Sequence, residues 1–221
     1  MKTSETPAPT RRVDRRRTRT RAALLQAGRT LLASRDVQGL SVDEIVAAAD
    51  VAKGSFYNHF ADKDVFAREI GAAVRRQAEE AVARANSGIA DPALRLAQAL
   101  CVFVRFAIEH RDSAQVLWRL NSGATMADAP VNRGLREEVL LMAKARPVTG
   151  LDVETGVLLV MGTIIIAMRH VLEERVVTPP ATIAAHMSAG MLRALGLPSR
   201  RGQALAMRAT KDVFGLPVTP G

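Results

Sequence analysis

The chain has 221 residues, 48% of them apolar, enough to bury a sizeable core and too apolar for disorder throughout. Its one cysteine, Cys101, excludes a disulfide framework or a cysteine-based zinc site within a single chain and fits a reducing, cytoplasmic setting. Two thirds of the formal charge of +9 sits at the N-terminus, where residues 1 to 21 hold eight basic side chains against Glu5 and Asp14; such a cluster attracts nucleic-acid phosphates, and it suits an anionic membrane surface or no partner at all equally well.

Residues 1 to 14 are rich in Pro, Thr and Arg and hold almost no apolar side chain to offset the entropy of ordering them, which predicts a flexible basic arm. No apolar segment or small-residue cleavage site follows, so this is no secretory signal. From Arg16 the apolar positions Ala23, Leu24, Ala27, Leu31 and Leu32 recur at helical spacing until Val37, Gln38 and Gly39. Ser41 and Glu44 stand at capping-box spacing and start a second helix at Val42, with Ile45 and Val46 on its apolar face. A third, Lys53 to Phe60, is about two turns long, so it needs neighbours to hold it through Phe56 and Phe60. Asp62 and Asp64 open a fourth that runs towards Asn86.

Asp91-Pro92 is a cap followed by proline at the first helical position, and the helix it starts runs to His110. Further helices are expected over Asp112 to Leu120, Asn132 to Ala145, Asp152 to Glu174 and Pro179 to Leu195, with Gly196 and Pro198 closing the last. The uncharged run Thr155 to Met168 is shorter than the ~20 residues that span a bilayer, so it reads as a buried helix and no membrane partner is expected. Beyond Pro198 the spacing permits one more helical segment or a free tail. Strand alternation is absent, and the fold class expected is all-α.

Three short helices behind a basic arm, the last two joined by a tight turn, form the arrangement that sets a recognition helix in the major groove. On the third helix Phe56 and Phe60 are spaced to face inward, which leaves Lys53, Ser55, Tyr57, Asn58 and His59 to project elsewhere. The stretch SVDEIVAAADVAKGSFYNHFADKDVF, Ser41 to Phe66, resembles the signature of TetR-family regulators, most specifically in its Gly-Ser-Phe-Tyr-x-His-Phe core and the lysine three residues later. The resemblance implies that Lys53, Ser55, Tyr57 and Asn58 meet bases or phosphates, and that His59 and Lys63 meet phosphates. It also implies that Gly54 lets the backbone approach the DNA closely and that Ser41 caps its helix beside a phosphate. Arg16 and Arg19 extend the basic surface next to the motif, suited to backbone or minor-groove contact. Two positions depart from the pattern. Asp50 stands where the turn usually has glycine, and Ala52 replaces the usual Ser or Thr cap at a cost of about 1 kcal/mol.

The resulting division is an arm over 1–14, a helix-turn-helix domain over 15–68, a helical effector-binding and dimerisation domain over 69–196, and a tail over 197–221. The resemblance implies a homodimer on palindromic double-stranded DNA, with repression relieved by a small-molecule effector of unidentified nature and no other cofactor or metal. Large apolar groups with a few polar ones suit such a ligand site. In the fifth and sixth helices these are Phe103, Arg105, Phe106, His110 and Trp118. Further along they are Asn121, Met126, Met142, Met161, Met168 and His170. Each apolar one serves equally well as core.

Enzyme motifs are missing: there is no Gly-rich phosphate loop and no His-Glu-x-x-His, and the four histidines are scattered, so no catalytic residue is assigned. A membrane or protein interaction module would use the arginine arm and leave the Lys53 to Lys63 pattern without a purpose. Activation in place of repression is an alternative within the same class.

Overall fold

Caps and apolar stripes resolve into ten α-helices and no strand among the described residues, which in the computed structural model are 9–120, 132–145 and 151–215. The chain forms two compact units, residues 1–73 and 74–221.

In the first unit, α1 spans Pro9–Ser34, so it begins ahead of the Arg16 start that apolar spacing indicates. Of the expected flexible arm, residues 1–8 lie outside the described residues and 9–14 are helical. Leu24 and Leu32 face inward, and Gly28 lies so close to the fourth helix that a Cβ there would meet Phe66 Cε1 at 2.5 Å and Ile70 Cδ1 at 2.6 Å. After a 3-10 turn at Val37–Gly39, α2 spans Val42–Ala48. Its capping box is formed: the Glu44 amide donates to Ser41 Oγ over 3.1 Å, and the Ser41 amide to Glu44 Oε2 over 2.9 Å.

Asp50 turns the chain with φ of 52°, the left-handed conformation that glycine adopts most cheaply. Helix α3, Lys53–Tyr57, then starts at Ala52 with no side-chain cap. It is shorter than the expected Lys53 to Phe60. The chain leaves the helix after Tyr57, and the His59 and Phe60 amides both return to the Phe56 carbonyl over 2.9 Å. Phe56, Phe60 and Phe66 are fully buried with ring centroids 4.8 to 5.5 Å apart, so the third helix is held by an aromatic cluster. Asp62 caps the N-terminal end of α4, Lys63–Ala85, by accepting from the Val65 amide at 2.7 Å.

In the second unit, Asp91 caps α5, Pro92–Glu109, which packs against the helices named α7 to α10 below. His110 joins it to α6, Arg111–Arg119, and α7 spans Arg133–Ala145. Asp152 caps α8, Val153–His170, accepting from the Thr155 amide at 2.7 Å, and α9 spans Pro180–Ala194. The tail adds α10, Ser199–Phe214, which buries Ala206, Ala209 and Val213 and packs on α5 and α9; residues 216–221 lie outside the described residues. Cys101 is buried against it, its thiol 3.6 Å from Thr210 Oγ1, and burial pushes its pKa up. Such a thiol is inert.

Helix α8 is, among the described residues, the one helix long and apolar enough by length and composition to cross a membrane. One side of it is buried here through Val157, Val160, Ile164 and Met168, against α5, α7 and α9. Burial on every side, which its sequence demands, is not met within one chain: Leu158 and Ile166 are exposed.

Candidate nucleic-acid interface and ligand cavity

Helix α3 has one buried side chain, Phe56. The inward turn of Phe56, with Phe60 beyond the helix, forces Tyr57 out, where it is 57% exposed with its ring edge-on to Phe56 at 5.4 Å. Asn58 and Lys53 are exposed beside it and Ser55 is half-buried. Nothing lies within 4 Å of where a Gly54 Cβ would stand, so its backbone is open to a partner from outside. Lys53 Nζ rests 2.8 Å from Asp43 Oδ1, and this hydrogen-bonded ion pair raises the lysine pKa. A DNA phosphate or base must draw the ammonium from Asp43 or share it.

Lys63 donates to the Leu40 carbonyl over 2.6 Å, tying the start of α4 to the turn before α2. An ammonium has three protons, so this bond leaves two for a phosphate. Ser41 Oγ is committed to the cap, and it also donates to Glu44 Oε2. The Ser41 amide, with Arg35 and the serine hydroxyl, holds the Glu44 carboxyl down to about 2, so the cap persists across the working pH range.

His59 is half-buried and feels the charges of Arg17 and Arg21 on α1. Burial, then the charges of Arg17 and Arg21, lowers its pKa and favours the neutral ring. Arg21 lies 5.3 Å above the Phe60 ring and pairs with Glu69, while Arg16 and Arg19 are exposed on α1. The first unit therefore presents donors and one ring on a short helix, flanked by exposed arginines. Such a surface can read base edges with the short helix and hold phosphates at its margins.

The second unit contains a cavity of about 1810 Å³ walled by α4 to α8. It is larger than the range of about 300–1,000 Å³ usual for ligand sites. Of the residues singled out from the sequence, Phe103, Trp118, Met161 and Met168 line it. Arg105, Phe106, His110, Met142 and His170 do not, and Asn121 and Met126 lie outside the described residues.

The reasons are geometric. Arg105 is turned about 200° from Phe103 around α5, and it donates to the Val213 carbonyl over 2.6 Å. Phe106 is buried core with its ring 5.0 Å from that of His110, which is itself exposed at the α5–α6 joint. Met142 is buried away from the cavity, and His170 is exposed at the end of α8.

Sequence reasoning missed the polar part of the wall. Arg95 makes a two-pronged ion pair with Glu138, at 2.8 and 2.7 Å, and donates to the Ile89 and Ala90 carbonyls. Asn86 donates to the Arg95 carbonyl, while its own Oδ1 is buried with no partner. Gln115 lies one turn before Trp118 on α6, a spacing that could have drawn it into the candidate set. The Trp118 ring carries the Arg169 guanidinium 4.1 Å from its centroid. No group of three or more His, Cys, Asp and Glu side chains suited to a metal ion occurs among the described residues.

Residues 24–70 match the family described as bacterial regulatory proteins, tetR family. Over 54 residues the chain is 43% identical to the HTH-type transcriptional repressor DhaR of Mycobacterium sp. (strain GP1); the aligned part is 24% of this chain and spans 27% of the length of that curated relative. The solved structure of RolR in complex with resorcinol is similar with a TM-score of 0.57 at 23% identity, covering 88% of this chain and 96% of that one. A gamma-butyrolactone receptor described as ArpA-like is similar with a TM-score of 0.63 at 20% identity, covering 89% and 99%. At these identities the structural likeness concerns the fold: all-α, with an N-terminal helix-turn-helix.

Proposed function

From the match of residues 24–70 to the tetR family of bacterial regulatory proteins, we propose that the chain is a cytoplasmic repressor of that family that binds a palindromic operator as a homodimer and releases it on taking up a small molecule. The observation that carries the DNA-binding half is helix α3, where Phe56 alone is buried and Tyr57, Asn58 and the Asp43-paired Lys53 are exposed beside an open Gly54. In this reading Tyr57, Asn58, Ser55 and Lys53 specify the operator, while Arg16, Arg19, His59 and Lys63 hold phosphates.

The dimer half rests on α8. Leu158, Gly162 and Ile166 recur every fourth residue on its exposed side, and a Cβ at Gly162 would meet nothing within 4 Å. A second copy laid on that stripe supplies the burial that α8 lacks. Two-fold symmetry then sets two recognition helices roughly 34–36 Å apart, or a multiple of it, on a palindrome. The effector half rests on the cavity, and RolR is described with bound resorcinol. A ligand that favours one arrangement of the dimer shifts its population and thereby its DNA affinity.

Selection of duplexes from a random pool by the purified protein, at physiological salt with excess competitor, tests this. A palindrome is expected to be enriched. A folded protein that enriches nothing removes the operator reading and favours an interaction module.

A further inference from the structure

Resting on the effector role given to the cavity, we propose that its ligand is uncharged and largely apolar, with a hydroxyl or amide group that bonds to Gln115. Several charged groups of the wall already have partners. Arg95 is spent on Glu138 and two carbonyls, Arg111 donates to the Leu172 carbonyl over 2.5 Å, and Arg169 rests on Trp118. The charges at Arg119, Arg133 and Arg175 and at Glu79, Glu137, Glu173 and Glu174 are exposed, of both signs, and screened by solvent, and the half-buried Arg75 is already engaged.

A carboxylate or ammonium moved from these exposed charges onto the apolar surface would lose its water and meet there only Arg75, already engaged, and the closed Arg95–Glu138 pair. A neutral apolar molecule meets the opposite situation. Leu96, Phe103, Val160, Met161, Ile164 and Met168 give it an apolar surface in which the two methionines adapt to shape. Within that surface Gln115 is half-buried and, among the described residues, engaged in no hydrogen bond. Its carboxamide both donates and accepts, so one hydroxyl or amide on the ligand satisfies it. Asn86 on the same wall keeps its Oδ1 buried without a partner and closed to the cavity, so the carboxamide that a ligand can reach is that of Gln115. The unmet polar chemistry of the cavity is thus carboxamide chemistry, which selects a neutral hydrogen-bonding group.

Three probes with one chain and different heads test this: decan-1-ol, decanoate and decylammonium, each below its micelle concentration. Binding to the full protein is measured by calorimetry and by emission of Trp118, the one tryptophan of the chain. Decan-1-ol is expected to bind at least tenfold more tightly than either ion, and Gln115→Leu to weaken the alcohol about tenfold while leaving the ions unchanged. Equal or tighter binding of an ion, no binding of any probe, or a Gln115→Leu protein that holds the alcohol undiminished would overturn the proposal. The wild-type ranking decides even if the variant does not fold. Operator selection is scored separately, so a protein that enriches a palindrome yet prefers an ion contradicts the ligand class alone.

Discussion

Replacing Gly28 with alanine probes the closest approach in the first unit. The added methyl would lie 2.5 Å from Phe66 Cε1 and 2.6 Å from Ile70 Cδ1, well inside van der Waals contact. Phe66 cannot withdraw freely, because it is buried with the Phe56 ring 5.3 Å and the Phe60 ring 4.8 Å away. Overpacking of this kind costs about 1–3 kcal/mol, and with three rings involved the upper part of that range applies. Alanine returns about 1 kcal/mol of helix propensity over glycine. The net expectation is a loss of about 2 kcal/mol, or a roughly 30-fold larger open population of the unit. Hydrogen exchange followed by mass spectrometry over residues 20–73 of the full chain reads this directly. Exchange in α9 and α10 serves as the internal reference and is expected to stay unchanged. A Gly28→Ala protein that exchanges at the wild-type rate or more slowly in α1 and α3 would refute the packing argument.

Two further predictions concern the same unit. Ala52→Ser gives α3 the cap it lacks and is expected to stabilise the first unit by about 1 kcal/mol, seen as slower exchange over residues 53–60; an unchanged rate would mean that the end of α3 is held by other means. His59 makes the pH dependence a signed test. Burial and the nearby arginines depress its pKa, so it adds stability above about 6.5 that is lost as pH falls through the depressed folded value. A DNA phosphate at His59 acts the other way and raises its pKa. Operator binding then takes up a proton and tightens as pH falls below neutrality, and His59→Gln removes that slope. A wild-type affinity independent of pH over this range, or a slope that survives in His59→Gln, contradicts the phosphate assignment.

Much of the fold was legible because caps are local. Ser41 with Glu44, Asp62, Asp91 and Asp152 each mark a helix start from sequence, and each makes the bond expected of it. Asp50 and Ala52, read as departures, are the left-handed residue and the uncapped start. The beginning of α1 was not legible, since arginine-rich turns carry no apolar stripe to announce them. Nor was the end of α3: Phe60 is buried like Phe56 and continues the helical spacing, yet it is reached by a turn.

The cavity was legible in part. On α8, Met161 and Met168 belong to one stripe with Ile164 and Ile165, and all four line the wall. On α5 the choice fails, because Phe103 and Phe106 look alike in sequence and only packing decides which borders a void and which fills the core. Arg95 and Glu138 are 43 positions apart, and no local pattern pairs them.

The central claim, that α3 reads bases while Arg16 and Arg19 of α1 hold phosphates, is tested most directly by comparing Tyr57→Ala with Arg16→Ala on the selected operator and on random duplex over a range of salt. Tyr57→Ala is expected to weaken operator binding far more than random binding and to leave the salt dependence as it was. Arg16→Ala is expected to weaken both about equally and to lower the salt slope by about 1. Equal losses on both duplexes for Tyr57→Ala would contradict the account, because an exposed ring that does not discriminate sequence is not reading it.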